Sequence, residues 1–303
     1  MNAKMIEQIH ELVKQRNASF VGHRNAFFCR QDEKACIERK QNSLEKRGAE
    51  VVKSTVRGDV IRSQNMNHTT QIDYVVQYEQ LIGIKGKLYL EETAQLRRAT
   101  FQDGELKDDK ELIDKQSSER EVITPEPWLE SRQQPLRNQS FRSGYDRREA
   151  VRYAERWWND YNPEYKKFTD NCTNFISQCL RAGGAQMTGY PNRSKGWWYR
   201  GENWSFSWSV AHSLRWYLSG AQQGLKGEER DSAMELELGD VICYDFDGDG
   251  RFQHSTIVVA KDGNGEPLVN AQTANSRMRY WKYEDSTAWT PNIKYKFFHI
   301  VNA

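Results

Sequence analysis

Cysteine is scarce in this 303-residue chain, which holds only Cys29, Cys36, Cys172, Cys179 and Cys243. So few, with no Cys-x-x-Cys pair, exclude a disulfide framework, a zinc ribbon and a thioredoxin-type redox motif. The odd number leaves at least one thiol free or bridged to another chain, and Cys29 with Cys36 could pair in an oxidising compartment. No apolar run approaches the roughly 20 residues of a membrane-spanning helix. The opening MNAKMIEQIHELVKQRNASF is amphipathic and lacks the continuous apolar stretch of a secretory signal. An excess of one charge is missing too: 44 Lys+Arg stand against 42 Asp+Glu, a net charge of +2. That balance provides no field to draw the chain to nucleic acid or an anionic membrane.

Proline and tryptophan are absent from the first part of the chain. All seven prolines lie at or after Pro125 and all ten tryptophans at or after Trp128, which marks two differently built regions. Residues 1–102 read as an α+β domain. Ile6, Ile9, Leu12 and Val13 fall near one helical face. A second, heavily charged stretch from Asp32 to Arg47 is also helical. Residues 51–57, 71–81, 85–91 and 95–102 then have the Val, Ile, Tyr and Thr content of strands in an antiparallel meander. The isolated His10, His23 and His68 in this region have structural or solvated roles. Residues 103–144 read as a linker, with the mixed run DGELKDDKELIDK, three of the seven prolines and one turn at 125–129 that anchors Trp128.

From Tyr145 the pattern becomes specific. In TDNCTNFISQCLRAGG, Thr169, Asp170 or Asn171 can cap a helix that Gly183–Gly184 end. Cys172, Phe175, Ile176, Cys179 and Leu180 share its buried face. Cys179 reads as a small core residue. Cys172 differs by position, because the free N–H groups and the dipole of a first helical turn stabilise a thiolate and an oxyanion. A thiolate nucleophile needs a proton partner. His299 reads as a packed or edge strand residue and His212 as part of an aromatic helix. His254 opens a β-branched strand beside the loop DFDGDG, where a side chain can line a cleft.

DFDGDG matches the first half of a calcium loop but has Thr256 where a bidentate Glu is needed, so it reads as a turn and no metal or other cofactor is expected. Alternation places His254, Thr256 and Val258 on one strand face, and Leu268, Asn270 and Gln272 on one face of the next strand. A three-residue loop at 262–264 would set His254 opposite Gln272 and Thr256 opposite Asn270. A polar side chain there would orient the imidazole, with Gln272 the expected third member and Asn270 the alternative. Trp197, Trp198, Tyr199, Trp204, Trp208 and Trp216 could line a groove or fill a core. Trp197 and Trp198 are the expected exposed pair, with Asn174 beside Cys172 as a further substrate contact.

The blocks YDRREAVRYAERWWNDYNPEYKKFTDNCTNFISQCLRAGG, SWSVAHSLRWYL, GDVICYDFDGDGRFQHSTIVV and NAQTANSR resemble the bacterial putative amidase domain family, a relative of CHAP and NlpC-type cell-wall peptidases. The resemblance covers residues 145–303 and implies a papain-like α+β domain, an antiparallel sheet packed on helices. It implies Cys172 as nucleophile, His254 as base and amide hydrolysis through a thioester on bacterial cell-wall peptides, with an extracellular or wall-associated location, while the lack of a visible signal leaves a cytoplasmic one open. The family usually has a second histidine where this chain has Gln272. Two other classes stay open at this point: a catalytically silent cell-wall-binding module, and an acyl transferase in which an amine resolves the thioester.

Overall fold

The computed structural model describes residues 3–22, 30–112 and 144–302; the expected Trp128 anchor, His23 and Cys29 lie outside them. In chain order the elements are α1 (Ala3–Phe20), α2 (Gln31–Arg47), β1 (Ala49–Met66), β2 (Thr69–Ile84), β3 (Lys87–Gln102) and β4 (Glu105–Glu111). After them come α3 (Arg147–Trp157), α4 (Cys172–Ala182), β5 (Tyr199–Arg200), β6 (Asn203–Trp204), α5 (Phe206–Ser209) and α6 (Ala211–Gly220). The chain continues with β7 (Leu225–Arg230), β8 (Val241–Asp245), β9 (His254–Lys261), β10 (Pro267–Ala271), β11 (Asn275–Tyr280) and β12 (Lys294–Asn302). The class is α+β, with antiparallel pairing throughout the main sheet.

Tight turns make the first strands long. Lys85–Gly86 and Asp103–Gly104 have positive φ at both central residues. That geometry matches the right-handed twist of the strands it joins. The polar stretch EETAQ does not break β3, which runs through residues read as two strands, and β4 occupies part of the expected linker. The reason lies in pairing: β3 keeps β2 on one edge for its whole length, and meets β11 and then β4 on the other. Polar side chains on such a strand need only a solvated or hydrogen-bonded face. α1 lays Met5, Ile9 and Val13 against Ile72, Tyr74, Val76 and Phe101 of this sheet. α2 ends at Gly48, whose φ of 64° lets its N–H reach the carbonyls of Leu44 and Glu45.

The strand order β1-β2-β3-β11-β10-β9-β8-β12-β7 carries one sheet from the first half of the chain into the second. Ion pairs reinforce the join. Arg47 reaches Asp262 at 2.9 Å, and Arg277 bridges Glu92 and Glu155. In the second half both sheet faces are covered. α3, α4 and α6 bury Phe175, Ile176, Cys179 and Leu214 against Val241, Cys243, Ile257 and Val259. The opposite face packs Tyr244, Val258 and Val269 against Trp281 and Tyr283. A buried Phe or Ile is worth about 1.5–3 kcal/mol, so these two clusters dominate the local stability. They also decide which strand residues can face the head of α4.

Candidate active site

Cys172 opens α4, as its sequence position suggests, but the expected caps act differently. Asn171 sits at the N-cap without capping through its side chain. Thr273, just past β10, supplies the acceptor: its Oγ1 takes the Asn171 N–H at 2.9 Å and the Cys172 N–H at 3.2 Å. The Asn171 amide is free to tie the surrounding loops. Its Oδ1 accepts from the Phe168 N–H and from Asn174, and its Nδ2 donates to Gln272 Oε1 at 2.5 Å. Thr273 has a φ of 83°, uncommon for a β-branched residue. Neither Asn171 nor Thr273 stood out as a site residue in the sequence.

The Cys172 thiol does not have the lowered pKa that its place in the first turn implies. Burial pushes it up. The Thr173 hydroxyl and the backbone N–H groups of Ser255 and Thr173 act in the opposite sense and favour the thiolate, but desolvation is the larger effect. The hydroxyl lies 3.7 Å from the sulfur. The residue is 5% exposed.

His254 opens β9 and points to the other side of the sheet. Its ring lies among Tyr244, Phe246 and Tyr283, and its Nε2 is 3.3 Å from the Tyr283 hydroxyl. The next residue, Ser255, pairs with Cys243 on the α4 side. Successive strand residues face opposite ways, so the thiol and the imidazole occupy opposite faces of β9. No hydrogen bond joins them among the described residues. Burial, aided by the Arg279 charge, brings the His254 pKa down to about 3, so the imidazole is neutral at pH 7. Tyr283 is held in turn by Ser276, at 3.2 Å between hydroxyls, and by the Arg279 guanidinium 3.9 Å from its ring centre. Sequence reasoning missed Tyr283, because only the tertiary packing of the segment after β11 brings it to the ring.

Gln272 and Asn270 are not beside His254. Gln272 donates to the carbonyls of Trp157 and Asp160, at 2.6 and 2.7 Å. Asn270 donates to Glu155 at 2.8 Å and accepts from the Met278 N–H. Both therefore bind β10 to its surroundings on the α3 side. Two things explain the error: Lys261 pairs with Pro267, so the loop spans 262–266 and not 262–264, and a bulge follows it. Leu268 lies opposite Ala260, but Val269 is opposite Val258 and Asn270 opposite Ile257. The extra residue, Val259, shifts the register by one and sends the polar pair to the other face.

Residues 144–298 match the putative amidase domain family. The chain belongs to that family. The uncharacterized protein YhbB of Bacillus subtilis strain 168 is 49% identical over 270 residues, an alignment that spans 88% of this chain and 86% of YhbB. The uncharacterized protein YjcM of the same organism is 33% identical over 127 residues, covering 39% of this chain and 28% of YjcM. No solved structure matches the chain. Membership in the amidase family points to amide hydrolysis, and Cys172, His254 and Tyr283 all lie in the matched residues.

Within this amidase domain the aromatic cluster is core. Trp197 and Trp198, the expected exposed pair, are 0% and 1% exposed, while Trp216 is 57% exposed. Both buried indoles find acceptors: Trp197 donates to Ser177, and Trp198 to the carbonyls of Asn192 and Lys195. Satisfying the indole N–H is what permits such burial. Asn174 is also structural. It accepts from Trp208 at 2.8 Å and donates to the Lys166 carbonyl and to Asn171.

The DFDGDG segment is closed by Asp245, whose carboxylate accepts the N–H groups of Gly248 and Gly250. Among the described residues no group of three or more His, Cys, Asp or Glu side chains could hold a metal ion. His299 sits 2.9 Å from Asp240, and His212 stacks on Phe252. No helix among the described residues is long and apolar enough to cross a membrane.

Proposed function

We propose that this chain is a cysteine-dependent amide hydrolase of papain-like type acting on bacterial cell-wall peptides, with Cys172 as nucleophile and His254 as base. The observation that carries this reading is the place of Cys172 in the first turn of α4, within the residues matched by the amidase family and with the Thr173 hydroxyl 3.7 Å from its sulfur. The N–H groups of a first helical turn favour a thiolate, an effect that burial outweighs in the form described. A neutral imidazole lies one residue along β9 from the Ser255 N–H. A general base works best with a pKa near the operating pH, and burial holds His254 well below it, so the base role requires the ring to leave its buried pocket.

In the form described, the two groups cannot exchange a proton directly. The reading therefore requires the first residue of β9 to leave its pairing with Tyr244 and carry the His254 ring from Tyr283 to the α4 side. From there it takes the Cys172 proton as sulfur attacks the carbonyl carbon. The C–N bond breaks, the imidazolium protonates the leaving amine, and water then hydrolyses the thioester with His254 as base.

The separation of thiol and ring also favours a second reading, a wall-binding module without turnover. One comparison decides between them. Wild type, Cys172→Ala and His254→Ala are incubated with purified cell-wall fragments and small amides, and bound protein is pelleted. Release of new amino groups by wild type, with a loss of at least about 10³-fold in both variants, supports the hydrolase. Equal turnover by wild type and Cys172→Ala removes the cysteine from the mechanism. Pelleting without turnover by any of the three assigns the module to binding.

A further inference from the structure

A second candidate site lies on the other side of the sheet join, where α1, α2, strands β2 and β3, the end of β4 and the start of β11 line a half-open cavity of about 100 Å³ that holds many charged side chains. Its buried charges form two matched groups. Arg16 and Arg97 meet Glu33 and Asp109, and Lys40 and Arg279 meet Glu91 and Asp285. What remains is unmatched. Arg16 and Tyr78 are 3% and 2% exposed and lie beside each other, and beyond that contact Arg16 Nε and Nη1 and the Tyr78 hydroxyl have no hydrogen-bond partner among the described residues. The buried Asn275 Oδ1 is unpartnered in the same way. The half-buried Glu111 carboxyl makes no ion pair among the described residues, and desolvation raises its pKa against the charges of Arg97 and Arg279. All four residues line the one cavity.

Native proteins leave few buried polar groups without partners, so several around a single opening indicate a ligand that supplies them. Donors on Arg16 and Tyr78 need an acceptor. Acceptors on Asn275 and Glu111 need a donor. Because the Arg16 charge is already matched by its carboxylates, the uncompensated charge is that of Glu111, and the missing partner is a cation. We propose that this cavity binds a small molecule carrying a primary ammonium beside a carbonyl oxygen, as in an amino-acid amide or the amino terminus of a short peptide. The ammonium sits against Glu111 and Asn275, and the carbonyl oxygen against Arg16 and Tyr78. A free amino acid shares this chemistry, with a carboxylate in place of the amide. The inference does not depend on Cys172 or on hydrolysis: Arg16, Tyr78 and Glu111 lie before the residues matched by the amidase family.

Titration calorimetry and thermal shift on the full chain test it, with L-alaninamide, L-alanyl-L-alanine, L-alanine and N-acetyl-L-alaninamide as probes. Alaninamide and the dipeptide are expected to bind, and acetylation, which removes the ammonium, to weaken binding at least about tenfold. Alanine binding as tightly as its amide supports the site with a free amino acid as occupant; weaker alanine binding supports a peptide end. Glu111→Gln and Tyr78→Phe should each weaken alaninamide about tenfold. Tyr78→Phe should melt no lower than wild type without ligand, which separates lost binding from lost folding. The proposal fails if no probe binds at millimolar concentration, if the acetylated probe binds equally well, or if both variants bind like wild type.

Discussion

Beneath β2 and β3, Arg16 and Arg97 lie 3% and 2% exposed between Glu33 and Asp109, whereas the α4 side of β9 is filled by Phe175, Ile176 and Trp208. One sheet thus has a buried charge cluster beside the apolar core at one end and an apolar core without one around α4 at the other. The two ends gain stability by different physics. Burying Phe175 and its neighbours is favourable whatever each neighbour is, and the loss from one truncation scales with the space left behind. The charged cluster is all-or-none. Each ion has lost several kcal/mol of hydration, and only the complete set of partners offsets it.

The largest expected effect follows from that difference. Arg97→Ala leaves Glu33 and Asp109 short of a partner in the interior and should cost about 3–5 kcal/mol in urea unfolding. Phe175→Ala should cost a similar amount, about 3–5 kcal/mol, through its cavity. Rescue separates them. Replacing Arg97, Arg16, Glu33 and Asp109 together by apolar residues of similar volume should recover most of the Arg97→Ala loss, because no ion is left stranded. A multiple variant as unstable as Arg97→Ala would show that the cluster contributes to stability beyond the matching of its own charges.

Acid should act on the two ends at different pH. His254 has an ordinary pKa near 6.5 when unfolded and one of about 3 when folded. Between these values the unfolded chain binds the extra proton, so stability falls as pH drops through 6.5 toward 3. From pH 6.5 to 5 that amounts to about 2 kcal/mol. His254→Phe should remove this slope. Asp285 is held below its ordinary pKa by Arg279 and Lys40, despite its burial. Its contribution is complete above the unfolded value near 3.9 and is lost only in stronger acid. Glu111 has the opposite sign: its raised pKa stabilises the fold as pH falls, so Glu111→Gln should steepen the decline. Urea unfolding at pH 6.5, 5 and 3.5 reads all three, and an unchanged slope in His254→Phe would place the buried proton elsewhere.

The same contrast explains what the sequence could and could not tell. The periodicity that sets Ile9, Leu12 and Val13 on one side of α1, and Phe175, Ile176 and Cys179 on one side of α4, is local, and it is legible because apolar burial needs only a face. The β10 register is not local. It turns on a bulge at Val259, and one extra residue there moved Gln272 and Asn270 from the expected imidazole to the carbonyls and carboxylate around α3. The charged cluster was invisible for a related reason. Glu33, Arg97 and Asp109 look like solvated surface in sequence and meet only because β3 runs on past a polar stretch into a turn and β4. Thr273 and Tyr283 belong to the same class: each acts on a residue far away in the chain.

Two tyrosines offer the finest comparison of the two ends. Tyr283, on the His254 side, has its hydroxyl 3.3 Å from the imidazole and 3.2 Å from Ser276, both buried groups. Tyr78, in the charged half, has an equally buried hydroxyl that, apart from the Arg16 guanidinium beside it, has no partner among the described residues. Removing a satisfied hydroxyl strands what it touched, at about 1 kcal/mol, whereas removing an unsatisfied one relieves a desolvation penalty. Tyr283→Phe should therefore lower stability by about 1 kcal/mol and Tyr78→Phe should leave it unchanged or raise it. Tyr283→Phe also releases the His254 ring. If turning that ring toward Cys172 limits turnover, amide hydrolysis should rise in this variant even as its melting temperature falls. A loss of both would instead make Tyr283 the group that orients the base.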